Sequence, residues 1–189
     1  MAAPTRPTRA PSIAQFVRIA HAMSEGEFVA LLGGDALAGP TAQPANADED
    51  ESEGWSYETV HSSGGPRGPV DLHSHEVYVL KKRVTMFPAT IMIGRALSND
   101  VTIDDVSISK LHARARRMED GTYALADADS RNGTVVNGRR LGAGEDVVID
   151  QGDTITFGNR VFRLYRAKRI YSLLRMMVAI EGEDDASAD

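Results

Sequence analysis

The stretch Thr154-Ile155-Thr156-Phe157-Gly158-Asn159-Arg160-Val161-Phe162-Arg163-Leu164-Tyr165 decides the fold. Two β-branched and aromatic runs flank a Gly-Asn turn signal, the pattern of short strands rather than of a helix. Working outward, further short runs occur at Val147–Ile149, Thr134–Val136, Thr122–Leu125, Val101–Ile103, Thr90–Ile93 and Val77–Leu80. Asn132-Gly133 and Asn137-Gly138 punctuate them. Strands at this spacing predict an all-β sandwich from about residue 76.

The flanks read differently. After Tyr165, apolar Ile170, Tyr171, Leu173, Leu174, Met177 and Val178 lie on one broad face, which predicts a helix from about residue 167 to 180, followed by an acidic tail. Near the start, Ser12-Ile-Ala-Gln15 is a capping box leading into Ile13, Phe16, Val17, Ala20 and Met23. A second box, Ser24 to Glu27, opens a short helix that Gly33-Gly34 ends. Residues 35–70 carry Ala, Pro, Gly and the acidic block Asp48 to Glu53, a composition that predicts a flexible linker. The expected organisation is an N-terminal helical segment (1–34), an acidic linker (35–70), the sandwich (71–166), and a C-terminal helix with its tail (167–189).

Composition narrows the chemistry. The 189 residues contain no cysteine, which removes disulfides, thiolate zinc sites and cysteine nucleophiles and favours a reducing, cytoplasmic setting. The net charge of −6 argues against general nucleic-acid binding. Acid is concentrated in the flanks: residues 71–166 hold 14 Arg/Lys and 13 Asp/Glu, so local placement of arginines decides what this segment binds. Gln15, Arg18 and His21 break the apolar stretch behind Arg6 and Arg9, so no signal peptide is expected, and no run reaches membrane-spanning length.

The polar residues that interrupt the strands form an ordered set: Gly94-Arg95, Ser98-Asn99-Asp100, Ser109-Lys110-Leu111-His112, Ser130-Arg131-Asn132-Gly133-Thr134 and Asn137-Gly138. Over roughly residues 76–165 the sequence resembles the forkhead-associated (FHA) domain, whose pattern is a Gly-Arg turn, Ser-x-x-His, Asn-Gly-Thr and Val/Ile-Asn-Gly. The resemblance implies a β-sandwich of about eleven strands, with short flanking helices here, whose end loops bind phosphothreonine peptides without catalysis. Carried over by motif position, Arg95 and Ser109 would hold the phosphate with Lys110 assisting. Asn132 would bond the peptide backbone, with Arg131 beside it in the same set. Asn137 would brace the loop or touch the peptide further along. Gly94, Gly133, Thr134 and His112 would be scaffold, with Ser98 and Asp100 as loop fasteners. The residue chemistry agrees independently, because a guanidinium offers a planar fork of donors to phosphate and a hydroxyl adds a short charge-assisted bond. Arg139 and Arg140 hint at an acidic peptide preference.

Other sites fit less well. Asp127 to Gly133 has calcium-loop spacing at its start, but Arg131 stands at the fifth position and Gly138 at the twelfth. His73 and His75 lack acidic or thiol company for a metal. No nucleotide-binding or hydrolase motif occurs, so neither cofactor, metal nor enzymatic activity is expected. The expected function is recruitment of phosphothreonine proteins in a Ser/Thr kinase pathway, with no nucleic-acid or membrane partner. The alternative is an assembly protein making phosphate-independent contacts. The resemblance also suggests an internal ligand, phospho-Thr59 beside the acidic block, with Thr5 and Thr8 as rival acceptors.

Overall fold

A computed structural model describes residues 13–40, 75–83, 90–142 and 144–177. Helices α1 (Ile13–Ala22) and α2 (Glu25–Leu32) lead into β1 (Asp35–Pro40) and β2 (His75–Leu80). Then follow β3 (Ile91–Gly94), β4 (Val101–Thr102), β5 (Ala113–Arg117), β6 (Tyr123–Asp127), β7 (Thr134–Val136) and β8 (Arg139–Arg140). Strands β9 (Asp146–Ile149), β10 (Thr154–Phe157) and β11 (Arg160–Tyr165) complete the sandwich, and α3 (Ala167–Met176) closes the chain.

The expected sandwich forms as two sheets, ordered β2-β1-β11-β10-β7-β8 and β4-β3-β5-β6-β9. The inner faces of both sheets enclose one apolar core containing Leu37, Ile93, Leu125, Ile155, Phe157 and Phe162. Pairing is antiparallel throughout except for β3 with β4. The Gly158-Asn159 turn makes β10 and β11 a hairpin, with Phe157 opposite Arg160.

The linker expectation fails at its start. Asp35–Pro40 is not linker but a strand in the interior of the larger sheet, between β2 and β11. Its composition hid it, because both faces are buried and one of them must be small. Leu37 enters the sandwich core while Ala36 and Ala38 face a second apolar cluster built with the helices. At Gly39 a Cβ would lie 2.3 Å from the Val161 carbonyl oxygen, so only glycine allows that close approach. The sandwich therefore begins at Asp35, before the expected boundary at residue 71. The acidic block, Thr59, Ser12, His73 and the acidic tail lie outside the described residues.

The helices are integral to the same body. The Ser24 box forms as expected: Ser24 Oγ accepts from the Glu27 N–H (3.4 Å) and Glu27 Oε2 from the Ser24 N–H (2.9 Å), while left-handed Gly33 ends α2. The apolar face of α3 packs within the chain: Ile170 and Leu174 are buried with Phe16, Val17, Phe28 and Leu32. Tyr171 donates to the Met23 carbonyl (3.0 Å) and its ring lies 5.3 Å from that of Phe28.

Asp35 joins these parts. Its buried carboxylate accepts from the Ala167 N–H (2.9 Å), capping α3 from a distance where Arg166 supplies no side-chain cap. It also accepts from the Tyr123 hydroxyl (3.2 Å) and lies 3.6 Å from an Arg166 Nη. Burial and the adjacent carboxylate push the Tyr123 phenol up to about 12, keeping it a donor. Asp35→Ala is expected to cost about 3 kcal/mol in urea denaturation, because it strands buried donors and a guanidinium. Loss of α3 helicity by circular dichroism should accompany it.

Candidate functional site

Three loops meet at one end of the sandwich: β3–β4 (95–100), β4–β5 (103–112) and β6–β7 (128–133). The Arg95 N–H donates to the Ser109 carbonyl (2.9 Å), joining the first loop to the second. The Arg131 N–H donates to Ser109 Oγ (2.9 Å), and Asn132 Nδ2 to the Ser107 carbonyl (2.7 Å), joining the second to the third. The structure thus brings Arg95, Ser109, Lys110, Arg131 and Asn132 onto one rim. Arg95, Lys110, Arg131 and Asn132 are exposed there, and Ser109 is half-buried.

Beneath the rim the loops are pinned by a buried neutral imidazole. His112 has no solvent exposure; its Nδ1 accepts from the Ser109 N–H (3.1 Å) and its Nε2 donates to the Gly133 carbonyl (3.1 Å). Both bonds together require the neutral ring protonated at Nε2. Thr134, also fully buried, donates to Asp127 Oδ2 (2.6 Å), which accepts from the Ser130 hydroxyl as well (2.7 Å). Burial pushes the Asp127 carboxyl up, but these donors and the Ser130 N–H outweigh it and hold the group below its ordinary value. Asp127 is therefore a loop brace in this arrangement. Gly94 permits the closest approach of strand to loop, since a Cβ there would lie 2.5 Å from the Lys110 carbonyl oxygen.

Asp100 fastens the neighbouring segment, accepting from Lys82 Nζ (2.7 Å) and the N–H groups of Arg83 (2.7 Å) and Met92 (2.9 Å). Asn99, which the motif reading left without a role, donates to the Ala96 carbonyl (2.9 Å) and the Lys110 carbonyl, holding the Arg95 loop in place. Ser98 is exposed. Asn137 sits apart from the rim in function: its amide donates to Asp153 Oδ1 (2.8 Å) and its Oδ1 accepts from the Thr154 N–H (2.9 Å). Its left-handed backbone, φ 50°, suits the hairpin turn it occupies. These bonds tie Asn137 to the β9–β10 turn and the start of β10 rather than to the Asn132 loop.

The two adjacent arginines also separate. Arg139 pairs with Glu145 at 2.6 Å, whereas among the described residues no ion pair engages Arg95, Lys110, Arg131 or Arg140. Arg140 lies against Gly133, where a Cβ would come within 2.3 Å of its guanidinium. The rim accordingly presents four cations and a hydroxyl on a chain of net charge −6. Ser109 Oγ accepts from Arg131, which leaves its proton for an acceptor from outside. Such a surface suits a compact, multiply charged oxyanion.

The motif reading missed Asp105 and Arg160 beneath the rim. Asp105 Oδ1 accepts from the Ser107 N–H (2.8 Å) and hydroxyl (2.6 Å), and Arg160 reaches Asp105 Oδ2 at 3.5 Å. No local pattern announces residues that meet only across the fold.

Burial pulls the His112 pKa below 6.5, with the Gly133 carbonyl and the Asp127 charge opposing more weakly. The native state therefore prefers the neutral ring. The stability this supplies is complete above pH 6.5 and lost as pH falls through the native-state value. The unfolding free energy from urea denaturation should decline below pH 6.5 by at most about 1.4 kcal/mol per pH unit from this group. The His112 ring resonances should titrate at lower pH than those of an unperturbed imidazole.

Residues 91–158 match the sequence model of the FHA domain family. The chain is 40% identical over 72 residues to an ABC transporter ATP-binding/permease protein of Mycobacterium tuberculosis, covering 38% of this chain and 8% of that one. It is 37% identical over 75 residues to an oxoglutarate dehydrogenase inhibitor of Corynebacterium diphtheriae, covering 40% and 48%. It is 36% identical over 75 residues to the glycogen accumulation regulator GarA of Mycolicibacterium smegmatis, covering 40% and 44%. The chain spans less than half the length of each of these relatives. Among solved structures, Mycobacterium tuberculosis EmbR in complex with a low-affinity phosphopeptide aligns at 27% identity and TM-score 0.40, covering 48% of this chain and 21% of that one. The N-terminal FHA domain of S. cerevisiae Rad53, bound to a phosphothreonine peptide, aligns at 24% and 0.38, covering 44% and 72%. The match to the FHA domain family covers residues 91–158, within the central sandwich.

Proposed function

We propose that this chain is a phosphothreonine reader that recruits phosphorylated partners without catalysis. The observation that carries the reading is the rim itself: Arg95, Lys110 and Arg131 stand around the Ser109 hydroxyl without carboxylate partners among the described residues, on loops pinned by His112. Arg95 Nε is anchored to the Ile108 carbonyl (3.3 Å), which aims the guanidinium and leaves its terminal nitrogens for a bidentate phosphate contact. Ser109 and Lys110 complete the phosphate contacts, Asn132 reads the peptide main chain, and Arg131 lines the same pocket.

The partner is a protein phosphorylated on threonine by a Ser/Thr kinase, and the setting is the cytoplasm. Phospho-Thr59 is a candidate internal ligand, since the chain between it and His75 can extend to about 50 Å, enough to raise a tethered ligand to high effective concentration.

Calorimetry with phosphothreonine peptides tests the reading. Arg95→Ala and Ser109→Ala should each lower affinity by at least about 30-fold, since each removes a partner of a desolvated charged group. Unphosphorylated and Thr→Glu peptides should not bind, because a carboxylate carries less charge and one oxygen fewer. Affinity within twofold of native in both variants would overturn the assignment.

A further inference from the structure

The residue proposed to read the peptide main chain, Asn132, is held by a chain of contacts that ends in a buried charge cluster. Its Nδ2 donates to the Ser107 carbonyl (2.7 Å), which fixes the orientation of the amide on this exposed residue. Ser107 is itself fixed from three directions. Its N–H and hydroxyl donate to Asp105 Oδ1 (2.8 and 2.6 Å), and its Oγ accepts from the Asn159 N–H (3.1 Å). The adjacent Gly158 lies so close that a Cβ there would come within 2.4 Å of the Ser107 carbonyl oxygen. Asp105 is anchored in turn by Arg160, 7% exposed, whose other Nη bonds Glu76 Oε2 (3.1 Å). Tyr78 donates to the same Glu76 oxygen (2.8 Å), and the Arg160 guanidinium lies 5.6 Å from the Phe162 ring centre.

These groups come from β2, the β4–β5 loop, β11 and the β6–β7 loop, so no single element sets the Asn132 amide. A buried guanidinium between two carboxylates has few alternative arrangements, and removing one partner leaves charge uncompensated. Ser107 inherits that rigidity through Asp105. We infer that Asp105, supported by Arg160, is a positioning residue for peptide recognition, acting through Ser107 on the orientation of Asn132. The inference rests on the phosphopeptide reading and adds to it residues that never touch the ligand. Burial raises the Asp105 carboxyl, but the Ser107 donors and the Arg160 charge lower it further, so it stays ionised and holds both.

A double-mutant cycle on the full chain separates positioning from general support. With a phosphothreonine peptide selected from an array, Asp105→Ala should weaken binding about tenfold, and Asp105→Asn, which keeps an acceptor for Ser107, by less than about threefold. In an Asn132→Ala background, Asp105→Ala should cost less than about twofold, because the residue it positions is gone. Equal tenfold losses with and without Asn132 would overturn the inference. If Asp105→Ala does not fold, Ser107→Ala carries the same cycle with the same criterion. A ligand-free readout accompanies it: the Asn132 side-chain amide should give one proton protected from exchange in the native chain and none in Asp105→Ala. An unchanged amide overturns the positioning while phosphopeptide binding stands. A native chain that binds no peptide in the array removes the functional reading and this inference with it.

Discussion

The carboxylate of Asp35 is the point on which the molecule's parts depend for their mutual placement. It is the first residue of β1, yet its contacts belong to β6 through Tyr123 and to α3 through Ala167. A buried carboxylate is stable only where donors converge on it, so its presence forces the start of the larger sheet, a strand of the smaller one and the C-terminal helix into register. Burial of Ala36 and Ala38 then follows, since α1 and α3 can approach β1 only over small side chains. The helices form a third layer over one half of one sheet, and that layer shares its strand with the sandwich.

At the other end the same logic runs through neutral groups. His112 and Thr134 have no exposure and satisfy the loop backbone from below, which lets the loops carry exposed cations above without collapsing onto them. Repulsion among Arg95, Lys110, Arg131 and Arg140 is tolerated because all four are hydrated and the chain as a whole is acidic. A phosphate entering the rim would relieve that repulsion. The rim is in this sense built for a charge it does not itself contain.

Local chemistry explains which parts could be read in advance. Turn residues announce themselves, so the Gly-Arg, Ser-x-x-His and Asn-Gly-Thr loops and most strands between them were legible, as were the Ser24 box and the Gly33 cap. Strand β1 was not, because Asp-Ala-Leu-Ala-Gly-Pro has the composition of a linker and its pattern makes sense only between a sandwich and a helical layer. Strand β5, Ala-Arg-Ala-Arg-Arg, alternates over its first four residues but with alanine as its inward residue, too small to register as apolar. Two-residue β8 falls below any periodic signal. Asp105, Arg160 and Glu76 were invisible as a group because each is an ordinary charged residue until the sheets bring them together.

Strands β1 and β2 are adjacent and antiparallel, and their pairing runs to the last residue on each side, with Pro40 opposite His75. Residues 41–74 therefore leave and re-enter the sheet at neighbouring positions, about 5 Å apart as in any strand pair. The sheet fixes only the two ends of this segment, which makes the junction a natural place for an experimenter to insert a tag or reporter.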